Sequence, residues 1–239
     1  MTLKSQLLEL MHAARLREEA FISALDESER SAQGSPTDWS GKDLIAHLAD
    51  WRLRTAEALD AIGRGETPVD YPEFDETNAV VFERHRAKDW SEVTRLSEQA
   101  WADLEAGVRR LADDQLGAPS PLPSLGGRPI WRMVIIDAST HPLTHLGAYA
   151  VRHGRAADAT RWEEDNAAKL AALDSSPAWR GTLRYNLACH FAVRGRSPEA
   201  VAALADALRL NPDLREWSRQ DADLESLRGH EAYEALYRE

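Results

Sequence analysis

Apolar residues recur at helical spacing in four long stretches of this sequence, and no comparable stretch alternates apolar with polar residues as a half-buried strand would. In residues 3–25, Leu3, Leu7, Leu10, Ala14, Phe21 and Leu25 share one stripe, with Arg and Glu opposite. A loop with Gly34 and Pro36 follows over residues 31–38. Residues 40–63 form the second stretch, with Ser40 as N-cap and Asp43, three residues on, in a weak capping box; Gly63-Arg64-Gly65 stops it. After a turn-rich link over 66–72, residues 74–86 are helical. Asp89-Trp90-Ser91 then restarts a helix, and Val93, Leu96, Ala100, Leu104, Val108 and Leu111 continue it to about residue 112. The prolines and glycines of 117–129 forbid regular structure, and the fourth helix runs from about 130 to 153. Four such helices predict an all-α four-helix bundle.

The fourth helix carries Ser139-Thr140-His141-Pro142-Leu143-Thr144-His145. Residues at i and i+4 lie one turn apart on one helix face, so His141 and His145 can grip one metal ion. Trp131, Val134, Ile135, Ala138, Ala148 and Tyr149 extend the same stripe, which predicts a buried face. His47 has an equivalent place among Leu44, Leu48, Trp51 and Thr55 of the second helix. Three inward histidines from two helices would make a metal site inside the bundle; each alone would more often be a packed core residue. Pro142 disfavours α geometry at His141 and lacks a backbone donor. Either the helix kinks there, or a helix restarts with His141 at the cap and Pro142 in its first turn.

Composition narrows the partners. A formal net charge of −11 and the absence of a basic run argue against nucleic acid. No apolar run reaches the roughly 18 residues of a membrane helix, and the first residues read as amphipathic helix, not as a signal peptide. The one cysteine, Cys189, excludes an intrachain disulfide and a multi-thiolate zinc site, and fits a reducing cytoplasm. At an apolar position of its helix, it reads as a buried, inert thiol. The length of 239 residues predicts a domain of about 150 residues and a smaller one.

The boundary falls within 154–160, giving a bundle over 1–155 and a second domain over 160–239. There Leu187, Ala188, Phe191, Gly195, Ala200, Leu204, Ala207 and Pro212 match the spacing of one tetratricopeptide repeat, although Arg184 stands where the pattern often has Trp. A lone repeat cannot bury its faces, so helices over about 160–173 and 220–237 must cover it, or it packs on the bundle.

Trp39-Ser-Gly-Lys-Asp-Leu-Ile-Ala-His47-Leu-Ala-Asp-Trp51, a long middle, and His141-Pro-Leu-Thr-His145-Leu-Gly147 resemble the DinB/YfiT-like superfamily over roughly residues 1–155. The middle, around residues 74–116, is most similar to the ClbS/DfsB-like branch. The resemblance implies a four-helix bundle whose three histidines, here His47, His141 and His145, often bind zinc or nickel. It also implies thiol-dependent S-transferase, isomerase or hydrolase chemistry on electrophilic small molecules, in detoxification or self-protection. Family members often pair through their helices, which leaves a homodimer open.

Three neutral imidazoles leave an ion with open positions, where water or a low-molecular-weight thiol cosubstrate can be activated. Asp137, four residues before His141, is an acceptor behind a ligand, a fourth ligand or a general base; the plain alternative is a helix-edge carboxylate paired with Arg132 or Arg128. Asp50, three residues after His47, has the same options. Gly126-Gly127-Arg128 fits neither a P-loop nor a dinucleotide fingerprint and reads as the loop admitting the fourth helix. His12, His85, His153, His190 and His230 lack partners at ligand spacing and read as surface or capping residues. The expectation is a metal-dependent hydrolase or S-transferase. The rival reading makes the bundle a silent scaffold and gives the function to the C-terminal repeat, docking a peptide or protein partner.

Overall fold

The computed structural model describes residues 1–36 and 38–238. The chain divides into two compact units, Met1–Ala156 and Ala157–Glu239. Both are helical, with no strand among the described residues. No described helix is long and apolar enough to cross a membrane.

The first unit opens with α1 (Leu3–Ala24), where Thr2 caps by accepting from the Ser5 N–H. A short helix not foreseen from the sequence, α2 (Glu27–Ser31), follows, with a complete capping box from Asp26 and Glu29. The box expected at α3 (Gly41–Gly63) is also complete: the Ser40 hydroxyl meets the Asp43 N–H, and the Asp43 side chain reaches back to the Ser40 N–H. Asp43 further accepts from the Gly34 N–H at 2.9 Å, tying the preceding loop to the helix start. Then come α4 (Phe74–His85), α5 (Trp90–Arg110, boxed by Asp89 and Glu92) and the single turn α6 (Asp113–Gly117).

The first half of α3 is buried on all sides, from Gly41 through Arg52, so it is the central helix of the unit. It crosses α5 closely at Gly107, where a Cβ would lie 3.1 Å from Leu59 Cδ1. Leu7, Phe21, Ile45, Leu48, Leu104, Leu143 and Leu146 are fully buried around it, each contributing about 1.5–3 kcal/mol. One ion pair interrupts this core: Glu18 of α1 and Arg52 of α3 are 1% and 0% exposed. Arg52 Nη1 donates to Glu18 Oε1 at 3.0 Å, and that oxygen also accepts from Ser97 Oγ at 2.7 Å and Trp101 Nε1 at 3.2 Å. The guanidinium lies 4.0 Å from the Trp101 ring centroid. A buried pair is tolerated when its polar atoms are satisfied in this way.

The fourth long helix is one rod with an irregular middle: α7 (Ile130–Ile135), a π turn (Ile136–Thr140) and α8 (His141–Arg152). The loop before it is irregular, as expected, apart from a 3-10 turn at Pro123–Leu125, after which Gly126 and Gly127 take φ of 55° and 76°. That left-handed backbone accounts for the glycine pair.

In the second unit, α10 (Pro177–Ala192) and α11 (Ser197–Leu210) pair in opposite directions around Gly195. Near the start of α10 a Cβ on Gly181 would lie 2.5 Å from Asn211 Cβ and 3.1 Å from the Ala207 carbonyl. Leu187, Ala188, Phe191, Ala200, Leu204 and Ala207 are buried between the helices with Leu224, Leu227 and Tyr233. α9 (Ala156–Leu170) joins α10 through Trp179 Nε1, which donates to the Leu170 carbonyl at 2.8 Å. After α12 (Leu214–Gln220), the helix expected over 220–237 is a 3-10 segment, Ala222–Leu227, and a short α13 (Glu231–Ala235). Gly229, at φ 85°, separates the two.

Candidate metal centre

α3 contributes His47, and α8 contributes His141 and His145. Their ring centroids form a nearly equilateral triangle, 4.9 Å for His47–His141, 4.9 Å for His47–His145 and 4.8 Å for His141–His145. One nitrogen from each ring falls within 4.8 Å of the other two. His47 Nε2 lies 2.9 Å from His141 Nε2. Burial, then the neighbouring His141 and His145, pushes the His47 pKa down to about 2. Burial, then His141, pushes that of His145 down to about 4. Both rings are therefore neutral at pH 7, with lone pairs available. Trp39 packs on this group, 4.3 Å from the His47 centroid and stacked 5.6 Å from that of His145.

The π turn answers the question raised by Pro142. The His141 N–H bonds five residues back, to the Ile136 carbonyl. In that register the next carbonyl, on Asp137, needs the N–H of residue 142, and proline has none. Arg52 Nε fills the gap, donating to the Asp137 carbonyl at 3.2 Å. Hence there is no break: His141 keeps α geometry at φ −62° and ψ −49°, and Pro142 sits in the first turn of α8. The turn also aims the Asp137 side chain. Its Oδ1 lies 3.2 Å from His141 Nδ1, and its Oδ2 accepts from Thr55 Oγ1 at 2.5 Å. A carboxylate at Nδ1 holds the proton on that nitrogen and leaves the lone pair on Nε2, toward His47.

Asp50, one turn after His47, is held by other partners. Its carboxylate receives Arg54 Nε at 2.8 Å, Arg84 Nη1 at 2.9 Å and His85 Nε2 at 2.9 Å. Burial pushes the Asp50 carboxyl up, but the hydrogen bonds from His85 and Arg54 outweigh it and hold the pKa at about 2. Asp137 therefore adjoins a member of the histidine cluster, whereas the Asp50 carboxylate is occupied by two guanidinium groups and His85. His85 corrects the surface assignment, being buried against Asp50. His190 does too, buried with Nε2 3.4 Å from Thr160 Oγ1. His12 and His230 are exposed, and His153 stacks on Tyr149.

A cavity of about 530 Å3 reaches His141 and Asp137. Trp51, Tyr71, Phe74, Leu122, Leu125, Met133 and Ile136 supply its apolar wall, and Arg54, Asp70, Asn78, Ser124 and Arg128 its polar one. Asp70 draws two loops together there, accepting from the Tyr71 and Ser124 N–H groups at 3.0 Å and 2.9 Å. Arg54, Tyr71 and Asn78 were not singled out from the sequence. They come from a partly buried helix face, the link after α3 and the helix α4, and share no periodicity that would group them.

The histidine cluster fits a divalent ion. Its donors are imidazoles, those of His47 and His145 neutral, His141 has its tautomer set by a carboxylate, and His47 Nδ1 is buried without a hydrogen-bond partner, so nothing among the described residues holds the His47 lone pair away from the centre. His47, His141 and His145 would hold the ion. A second convergent group, Cys189 with Asp221 and Asp223, lies in the other unit. There burial, then Asp221, pushes the thiol up to about 12, and Tyr185 donates to Asp221 at 2.5 Å. A protonated thiol is a poor nucleophile.

Residues 10–155 match the profile of the DinB superfamily. No curated protein and no solved structure matches the chain.

Proposed function

The chain belongs to the DinB superfamily, and from that premise we propose that its first unit is a divalent-metal-dependent enzyme acting on an electrophilic small molecule. Zinc or nickel is the proposed ion, held by His47, His141 and His145. When bound, such an ion lowers the pKa of a water or a low-molecular-weight thiol beside it, which supplies the nucleophile for hydrolysis or S-transfer. The observation that carries the reading is the convergence of the three rings beside a largely apolar cavity, with Asp137 on His141 Nδ1.

The protein's own groups have distinct tasks in this reading. Asp137 keeps the proton at His141 Nδ1, and the Thr55 hydroxyl steadies its other oxygen. Trp39 covers His47 and His145 and excludes water there. Trp51 and Phe74 receive the apolar body of the substrate. Asp50 holds Arg54 against the cavity wall and takes no proton from the substrate. The ClbS/DfsB-like branch is the proposed relation within the superfamily.

Metal analysis by mass spectrometry, on untagged protein purified without added metal, tests the reading. The expected result is about one equivalent in the wild type and almost none in His145→Ala, followed by turnover in a screen of electrophiles with and without thiols. No metal in either protein, together with a melting temperature that zinc and nickel leave unchanged, would return the histidines to the core.

For the second unit we propose a tetratricopeptide-like helix pair, supported by the close Gly181–Asn211 crossing. Its partner would be a peptide or a second copy of the chain. Light scattering of the full chain, alone and with residues 160–239 removed, tests it: a dimer that becomes a monomer assigns pairing to this unit.

A further inference from the structure

Apart from the Tyr71 hydroxyl, which can donate or accept, the side-chain groups left unengaged on the wall of the 530 Å3 cavity are hydrogen-bond donors. Both carboxylates there are engaged, Asp70 by two backbone N–H groups and Asp137 by His141 and Thr55. Asn78 Oδ1 accepts from Trp51 Nε1 at 3.0 Å. Indole only donates, so this contact fixes the amide and leaves its NH2 to donate. Arg54 commits Nε to Asp50 and lies 4.2 Å from the Tyr71 ring centroid. Its terminal nitrogens have no acceptor among the described residues. Arg128 is exposed on the loop before α7, and among the described residues no carboxylate pairs with it. In a chain of formal net charge −11, the terminal nitrogens of Arg54 and the guanidinium of Arg128 leave donors on one largely apolar cavity that no acceptor among the described residues takes up.

We infer that this cavity takes a small molecule with an apolar, ring-stacking body and one anionic group, the anion held by Arg54 and Arg128. Trp51, Tyr71 and Phe74 flank the body, and Asn78 donates beside them. Guanidinium groups suit this task because their planar donors match a carboxylate or a phosphate edge. The inference deepens the metal-enzyme reading and rests on it only for which end of the ligand faces His141.

The test uses the full chain stripped of metal, so that ligand binding does not depend on the ion. 4-Phenylbutyrate, its neutral amide and the cationic 4-phenylbutylamine are titrated while tryptophan fluorescence is followed. The acid is expected to bind about tenfold more tightly than the amide, and the amine most weakly. Arg128→Gln, at an exposed position, should bring the acid to the level of the amide, and Arg128→Lys should keep part of the preference. Arg54→Gln, with its circular dichroism matched to wild type, should act as Arg128→Gln does. Equal binding of acid and amide, a preference that survives both glutamine variants, or no saturable binding by any of the three overturns the inference. Metal content, measured separately, decides the metal reading whatever the titration shows.

Discussion

At the scale of single residues, the centre is set by which nitrogens hold protons. Replacing Asp137 by Asn keeps the shape but removes the carboxylate from His141 Nδ1. Metal affinity should fall about 10- to 100-fold, which competition against a chelator would measure, while the far-ultraviolet spectrum stays the same. Acid should act on the metal-free protein through His47 and His145. Their folded pKa values, about 2 and about 4, lie below the value near 6.5 of an unfolded histidine. The unfolded chain thus binds more protons between these limits. The stability contributed by the neutral rings is present above roughly pH 6.5 and is lost as pH falls, by about 2 kcal/mol per ring at pH 5. Urea midpoints at pH 7 and 5 should show the drop, and His145→Ala should show roughly half of it. The three histidines were legible in the sequence because helical spacing put them on apolar stripes. Arg54 was not, and Arg128 was read only as part of the loop or as a partner of Asp137, because a cavity wall assembled from a helix face and a loop leaves no period.

At the scale of elements, the rod carrying His141 and His145 depends on another helix. Pro142 announced an irregularity, but only a distant side chain decided its form: Arg52 of α3 takes the Asp137 carbonyl that proline leaves without a donor. The same guanidinium neutralises Glu18 of α1, so one residue links three segments of the unit. The sequence reading set the glutamates of α1 opposite its apolar stripe; Glu18 is instead buried, and no periodicity could pair it across 34 residues. Arg52→Met would leave the buried Glu18 carboxyl without its cation, held only by Ser97 and Trp101. The expected loss is about 3–5 kcal/mol by urea denaturation, with Glu18→Leu in the same chain restoring part of it. α3 and α5 were readable from capping residues and stripes. α2 was missed because five residues carry too short a pattern.

At the scale of the whole molecule, two compact units divide the chain near residue 156, where the apolar pattern changes character. Each has its own buried apolar residues, so damage to one should leave the chemistry of the other in place. Gly181→Val would drive a side chain into Asn211 and cost the second unit about 1–3 kcal/mol. Hydrogen exchange should accelerate over residues 157–238 while the metal content stays at that of the wild type. The broken helix after residue 220 was not legible, since Gly229 lies in a stretch whose apolar residues continue on either side.

The single cysteine bears on how the protein can be handled. Cys189 is buried and its thiol is pushed up to about 12, so alkylating reagents near neutral pH meet almost no native thiolate. An electrophile screen run with this chain therefore has a low background of self-modification, and mass added to the protein would report another nucleophile. The same silence lets one cysteine introduced at an exposed site accept a fluorophore or spin label without first removing the native thiol.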